Sequence, residues 1–159
     1  SNKDRFLRKE TLQGFVHDEA SAFFGGLAGN AGLFSTARDV ARVYQMLLNG
    51  GEIDGQRYLS KETCQLFTTE TSKISRRGLG FDKPDADDPK KGNCAPAAPA
   101  EVYGHTGFTG TCAWVDPMNE LVYVFLSNRI YPDVTNRKLN QLHIRERIQG
   151  AIYDAMKKK

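Results

Sequence analysis

The chain has 159 residues, of which 40 % are hydrophobic and 26 % charged, the make-up of one ordinary globular domain able to bury a core. Its net charge of 22 − 19 = +3 is too mild to point to nucleic acid, and no run of 18 apolar residues is present to span a membrane. Cys64, Cys94 and Cys112 form neither a CxxC pair nor a zinc spacing, so they read as buried or incidental thiols.

Residues 1–11 are polar and basic and read as frayed or extended, with Ser1-Asn2 resembling a cloning remnant. The apolar stretch 12–16 could add a strand. His17-Asp18-Glu19 admits two readings. Histidine and carboxylates bind zinc or manganese, but adjacent residues rarely point at one ion, and no His-x-x-x-His or Glu-x-x-His spacing is present. The other reading is a helix start with acidic residues in the first turn, ahead of residues 20–24. The stretch 25–32, which contains Gly29 and Asn30, is the richest in glycine. A phosphate loop would need a closing Lys-Ser/Thr and a strand leading in, and both are missing; a tight turn that lets backbone approach closely fits better.

Ser35-Thr36 is an N-cap for a helix whose apolar face is Ala37, Val40, Ala41, Tyr44, Leu47 and Leu48, ended by Gly50-Gly51. Asp54-Gly55 predicts a tight turn between 52–53 and 56–58. Ser60 caps a second helix over 61–68, with Thr63 where a capping box prefers Glu. Residues 77–81 read as a short strand. The stretch 82–100 has Pro84, Pro89, Pro96 and Pro99 and no periodicity, which predicts a surface loop.

The next segment, 103–128, is the most strand-like. A glycine-studded entry, His105 to Gly110, leads into 111–115, a turn at Asp116-Pro117-Met118-Asn119 follows, and then comes the apolar run 121–126. That run shows no alternation, which predicts a strand covered on both faces. A last helix spans 140–157, with Ile144, Ile148, Ala151, Ile152 and Ala155 as its apolar stripe, and Lys157-Lys158-Lys159 as a solvated helix end. Helices, strand, loop, antiparallel strands and a terminal helix make an α+β layer architecture, an antiparallel sheet flanked by helices.

His105-Thr106-Gly107 at the start of a strand, followed by a hairpin and an apolar neighbour strand, resembles the third motif of the serine β-lactamase and penicillin-binding-protein superfamily. That motif is usually Lys-Thr-Gly. GFVHDEA (14–20), GGLAGNAGLFSTARDVARVYQMLLNGG (25–51), RRGLGFD (76–82) and YGHTGFTGTCAWVDP (103–117) resemble, in that order, the C-terminal half of class C-like serine hydrolase and esterase domains. These are exported bacterial domains, some of which follow a glycoside hydrolase in one polypeptide. The resemblance implies the C-terminal part of a β-lactamase/transpeptidase-like fold and a periplasmic or cell-envelope location.

That superfamily's nucleophile lies in Ser-x-x-Lys, and none of Ser1, Ser21, Ser35, Ser60, Ser72, Ser75 and Ser127 has Lys three residues on. A Tyr-x-Asn motif and a Gly-x-Ser-x-Gly elbow are also missing. The resemblance therefore implies a single partial domain over 1–159, one wall of an active site, inactive alone and completed by the N-terminal half of the same domain. On that wall His105 would supply a donor, with a charge that follows pH where lysine's does not. Thr106 would place a hydroxyl, Gly107 would let substrate lie close, and the Phe108 N–H would be one of two oxyanion donors. His17, Asp18, Gly29 and Asn30 would line the cleft. No metal and no cofactor is implied; the partner is a small-molecule or peptide acyl substrate. A non-catalytic binding module with a degenerate cleft is the alternative, and a cysteine or metal hydrolase using Cys112 or His17 with His105 is a remote third. Surfaces meant for a missing half should be apolar and exposed, which predicts self-association.

Overall fold

The computed structural model describes residues 7–69, 72–85, 87–88 and 92–157. Residues 1–6, Pro89, Lys158 and Lys159, on which some of the expectations above fall, lie outside the described residues. Three helices start where a short polar side chain can take up an orphan amide. Asp18 caps α1 (Glu19–Phe23) by accepting from the Ser21 N–H at 2.8 Å. Thr36 caps α2 (Ala37–Leu48) by accepting from the Asp39 N–H at 3.1 Å while its hydroxyl donates to Asp39 Oδ2 at 2.8 Å. A two-stranded hairpin, β1 (Glu52–Ile53) and β2 (Gln56–Arg57), follows, turning at Asp54 and Gly55 with φ of +52° and +76°. Such a turn needs left-handed backbone at both central positions, which Asp-Gly supplies. Ser60 then caps α3 (Lys61–Thr68).

The main sheet is antiparallel, ordered β3 (Tyr103–Thr106), β4 (Cys112–Asp116), β5 (Leu121–Phe125). Side chains alternate across it. Cys112, Trp114 and Asp116 share one face with Tyr123 and Phe125; Ala113 and Val115 share the other with Tyr103, His105, Val122 and Val124. The first face packs on Cys94, Ala98, Val102 and Ile152. On the second, α2 lies against β4 and β5, and Tyr44, Phe81 and Tyr103 form an edge-to-face aromatic chain with centroids 6.1 and 5.3 Å apart. Gly104 permits the close β3–β4 contact, since a Cβ there would fall 2.1 Å from the Ala113 carbonyl oxygen and 2.7 Å from the Trp114 ring. The architecture is α+β, an antiparallel sheet flanked by helices.

Several expectations are corrected. Residues 12–16 form no strand, although Leu12 and Val16 are buried. Residues 7–10 are not loose at Arg8, whose guanidinium donates to the Val16 and His17 carbonyls at 2.6 and 3.3 Å. Residues 77–81 form no strand: Gly78 is an isolated bridge position whose N–H donates to the Phe81 carbonyl, and Asp82 joins the sheet through a bridge to Gly104. His105 and Thr106 end β3 rather than start a strand. The strand buried along its whole length is β4, because it is central; β5 is half-buried at the edge.

The terminal helix is broken into α4 (Lys138–Gln141) and α5 (Ile144–Met156) by His143, at φ +48°. The buried face of α5 is Arg145, Glu146, Gln149 and Tyr153, while Ile148 is 38 % exposed. The reason lies in what the helix faces. Asp116 accepts the Tyr153 hydroxyl at 2.8 Å, the Ala95 N–H donates to Gln149 Oε1 at 2.8 Å, and the Tyr123 hydroxyl donates to the Arg145 carbonyl at 3.1 Å. The stretch 82–100 has no helix or strand among the described residues, but it is not all surface: Asp82, Lys83, Cys94 and Ala95 are buried.

Candidate active site

Beyond Thr106 the chain reverses in a tight turn closed by Gly107 N–H to the Thr111 carbonyl (2.8 Å) and Gly110 N–H to the Gly107 carbonyl (2.9 Å). Neither bond uses the Phe108 N–H. The Phe108 side chain projects from the tip, 62 % exposed, in contact with His17 and Arg129. His17 stacks on one side, centroids 5.5 Å apart at 28°, and the Arg129 guanidinium lies 4.7 Å from the ring centroid. A cation over an aromatic face is attracted by the ring quadrupole. Arg129 also donates from Nε to the Phe108 carbonyl at 2.8 Å, from its backbone N–H to the Thr109 carbonyl at 3.0 Å, and from its guanidinium to the Val134 carbonyl at 3.2 Å. The turn is thereby clamped from outside.

His105 faces solvent beside this turn. Arg77 Nη1 lies 2.9 Å from its Nε2, and its Nδ1 lies 2.7 Å from the Thr106 carbonyl oxygen. A guanidinium has only donors and a carbonyl only accepts, so in this arrangement Nε2 accepts and Nδ1 donates. Both ring nitrogens of His105 therefore have partners within the chain, and Arg77 brings a guanidinium to this end of β3. Its neighbour Arg76 serves a different purpose. It donates to both oxygens of buried Asp82, at 2.7 and 3.1 Å, and Asn93 adds a third bond at 3.0 Å. Burial pushes the Asp82 carboxyl up, but those bonds and the charges of Arg76 and Arg77 outweigh it and hold it below the usual carboxylate range.

His17 therefore reaches the Phe108 turn. Asp18 and Asn30 come together elsewhere on their segment, with Asn30 Nδ2 donating to Asp18 Oδ1 at 3.2 Å and the Ser21 hydroxyl donating to Asn30 Oδ1 at 3.1 Å. Bonds from the Ser21 backbone and side chain, then from Asn30, and the charge of His17 keep the Asp18 carboxyl below its ordinary range. Gly29 is exposed, and a Cβ there would meet nothing within 4 Å. His17 and Asp18 point to different partners, which removes the shared-ion reading of this trio. Cys112 pairs with Thr106 across the strands, on the face opposite His105, and burial pushes its thiol up to about 11, so the two do not form a nucleophile–base pair. Sequence reasoning missed Arg77, which it placed in a short strand, and Arg129. The double arginine at 76–77 was the one local signal.

The chain spans about a third of the length of the curated relatives it matches. Proteins of Escherichia coli (strain K12), Salmonella agona and Salmonella typhi, each named "Putative D-alanyl-D-alanine carboxypeptidase", are 36 % identical over 135 residues, 84 % of this chain and 31 % of theirs. A penicillin-binding protein homologue from Caulobacter crescentus, of known structure, is 26 % identical over 56 % of this chain and 24 % of that one, with a TM-score of 0.45. The family model described as Beta-lactamase matches residues 4–146, a span that takes in the clamped turn, His17, His105 and Arg77. The chain belongs to the Beta-lactamase family.

Proposed function

We propose that this chain forms the oxyanion-side wall of a serine acyl-transfer site, in a hydrolase acting on a peptide or other small acyl substrate in the bacterial envelope. The nucleophile, a serine followed three residues on by lysine, lies outside these 159 residues. The observation that carries the reading is the Phe108 turn, whose two closing bonds leave the Phe108 N–H out while Arg129 and His17 hold its ring. An oxyanion donor must be fixed before charge develops, and such a donor is worth ~10²–10³ in rate. Gly107 lets the turn close tightly, since a Cβ there would fall 2.4 Å from Thr111 Oγ1. The carboxypeptidase names of the relatives favour a peptide bond as the one cut, where serine attack gives an acyl-enzyme that water resolves. Ester or β-lactam cleavage would use the same wall.

Intact-mass measurement after exposure to a fluorophosphonate and to a penicillin tests this, on these 159 residues and on the same chain joined to its upstream sequence. A mass increase on the longer protein alone is expected. No adduct on either would end the hydrolase reading and leave a binding module, which the absence of Ser-x-x-Lys from this sequence already favours as the second choice.

A further inference from the structure

We propose that Arg129 is a positioning residue for acyl transfer, holding the backbone beside Phe108 so that the Phe108 N–H is aimed before the oxyanion forms. The inference rests on the acyl-transfer reading above and concerns what fixes the donor of that site.

The backbone around Phe108 is set from both sides. The 107–108 peptide is planar and trans, so its carbonyl and the Phe108 N–H point opposite ways. Gly110 N–H holds that carbonyl at 2.9 Å from inside the turn, which sends the Phe108 N–H outward. The next peptide is held from outside, by Arg129 Nε to the Phe108 carbonyl at 2.8 Å, and the one after it by the Arg129 backbone N–H to the Thr109 carbonyl at 3.0 Å. Both peptide planes that flank Phe108 are therefore pinned, which fixes its φ and ψ. Of those two pins, only Arg129 Nε belongs to a side chain.

Arg129 serves this task through its donors rather than its charge. Its Nη1 also donates to the Val134 and Asn136 carbonyls, at 3.2 and 3.4 Å, and so joins the turn to the segment that leads into α4. All of these acceptors are neutral carbonyls, and no ion pair among the described residues includes Arg129. Burial first, then the charges of Arg137 and Arg145, work against its cation. The turn also lies on its stem: a Cβ on Gly110 would fall 3.2 Å from Arg129 Cγ and 2.4 Å from Ser127 Oγ. What the position requires is an N–H at the depth of Nε.

The protein with its upstream sequence gives the test, through three replacements that separate depth from charge. Arg129→Met keeps the stem and its contact with the Phe108 ring but has no donor. Arg129→Gln is neutral yet carries an N–H at the depth of Nε, and Arg129→Lys keeps the charge with its donors one atom farther out. On a p-nitrophenyl ester, Arg129→Met should lower kcat ~10–100-fold with KM unchanged, short of the ~10²–10³ that loss of an oxyanion donor costs. Arg129→Gln should recover more of kcat than Arg129→Lys. Lysine as the better replacement would show the charge acting on substrate and overturns the inference, as does an unchanged kcat or a loss carried by KM alone. If a thermal scan shows that the Met variant does not fold, the order of Gln and Lys decides. A second readout needs no substrate: backbone nitrogen relaxation of Phe108 in phenylalanine-labelled protein, expected to show lost order in Arg129→Lys and restored order in Arg129→Gln. That pattern upholds Arg129 even if no reagent acylates the protein and the hydrolase reading falls. Equal Phe108 order in wild type and all variants sinks Arg129 even if the wild type is acylated.

Discussion

Asp82 shows how much one carboxylate can organise. It is 1 % exposed, accepts from Arg76, Asn93 and the Lys83 N–H, and its own backbone exchanges two hydrogen bonds with Gly104, at 2.7 and 3.0 Å. Removing one partner of a buried ion pair leaves the other uncompensated, so Asp82→Asn should lower stability by about 3 kcal/mol in a denaturant titration. Because the folded carboxyl titrates below its ordinary range, its contribution is complete above the unfolded value and is lost as pH falls through the folded one. Wild-type midpoints should therefore drop in acid below the usual aspartate range, and the Asn variant should drop less there. A variant with an unchanged midpoint near neutrality would remove Asp82 from the account. At the same scale His105 and Phe108 were legible in the motif they belong to. Arg77 and Arg129 were not, because their contacts cross 28 and 21 residues of sequence, and nothing local marks the far partner.

At the scale of elements, α5 departs most from expectation. A stripe of Ile and Ala predicted an apolar contact, yet Tyr153 and Gln149 face inward to meet Asp116 and the Ala95 amide. Burial and the bond to Asp116 push the Tyr153 phenol above its ordinary range, so it stays a donor at every working pH. Tyr153→Phe keeps the ring and removes the donor. It should cost about 1.5–3 kcal/mol, the range for a hydrogen bond to a charged acceptor, read as a lowered thermal midpoint; no change would mean that Met118 and Asn119, which also donate to Asp116, satisfy it alone. Helix starts at Asp18, Thr36 and Ser60 were readable because a cap is decided within three residues. The face that α5 buries and the identity of the central strand were not, since both depend on what the sheet presents from elsewhere in the chain.

Over the whole molecule, large apolar side chains crowd one stretch of surface sequence. Phe15, Phe23, Phe24, Leu27, Leu33 and Phe34 are each at least 65 % exposed. Apolar surface gathered this way drives association. Light scattering on these 159 residues should show a dimer or larger species, shifted toward monomer by Phe23→Ser with Phe24→Ser, and a monomer at all concentrations would count against it. The excursion from Asp82 to Gly104 behaves differently. It leaves the sheet and returns to the same rung, with an intermediate tether where the Ala95 amide meets Gln149. Length added between Asp82 and Ala95 is thus closed at both ends by contacts already made, and doubling such a span costs only ~0.6 kcal/mol. An engineer or an evolving lineage could lengthen it to reshape the approach to the site while Gly104, and the His105 that follows it, keep their register.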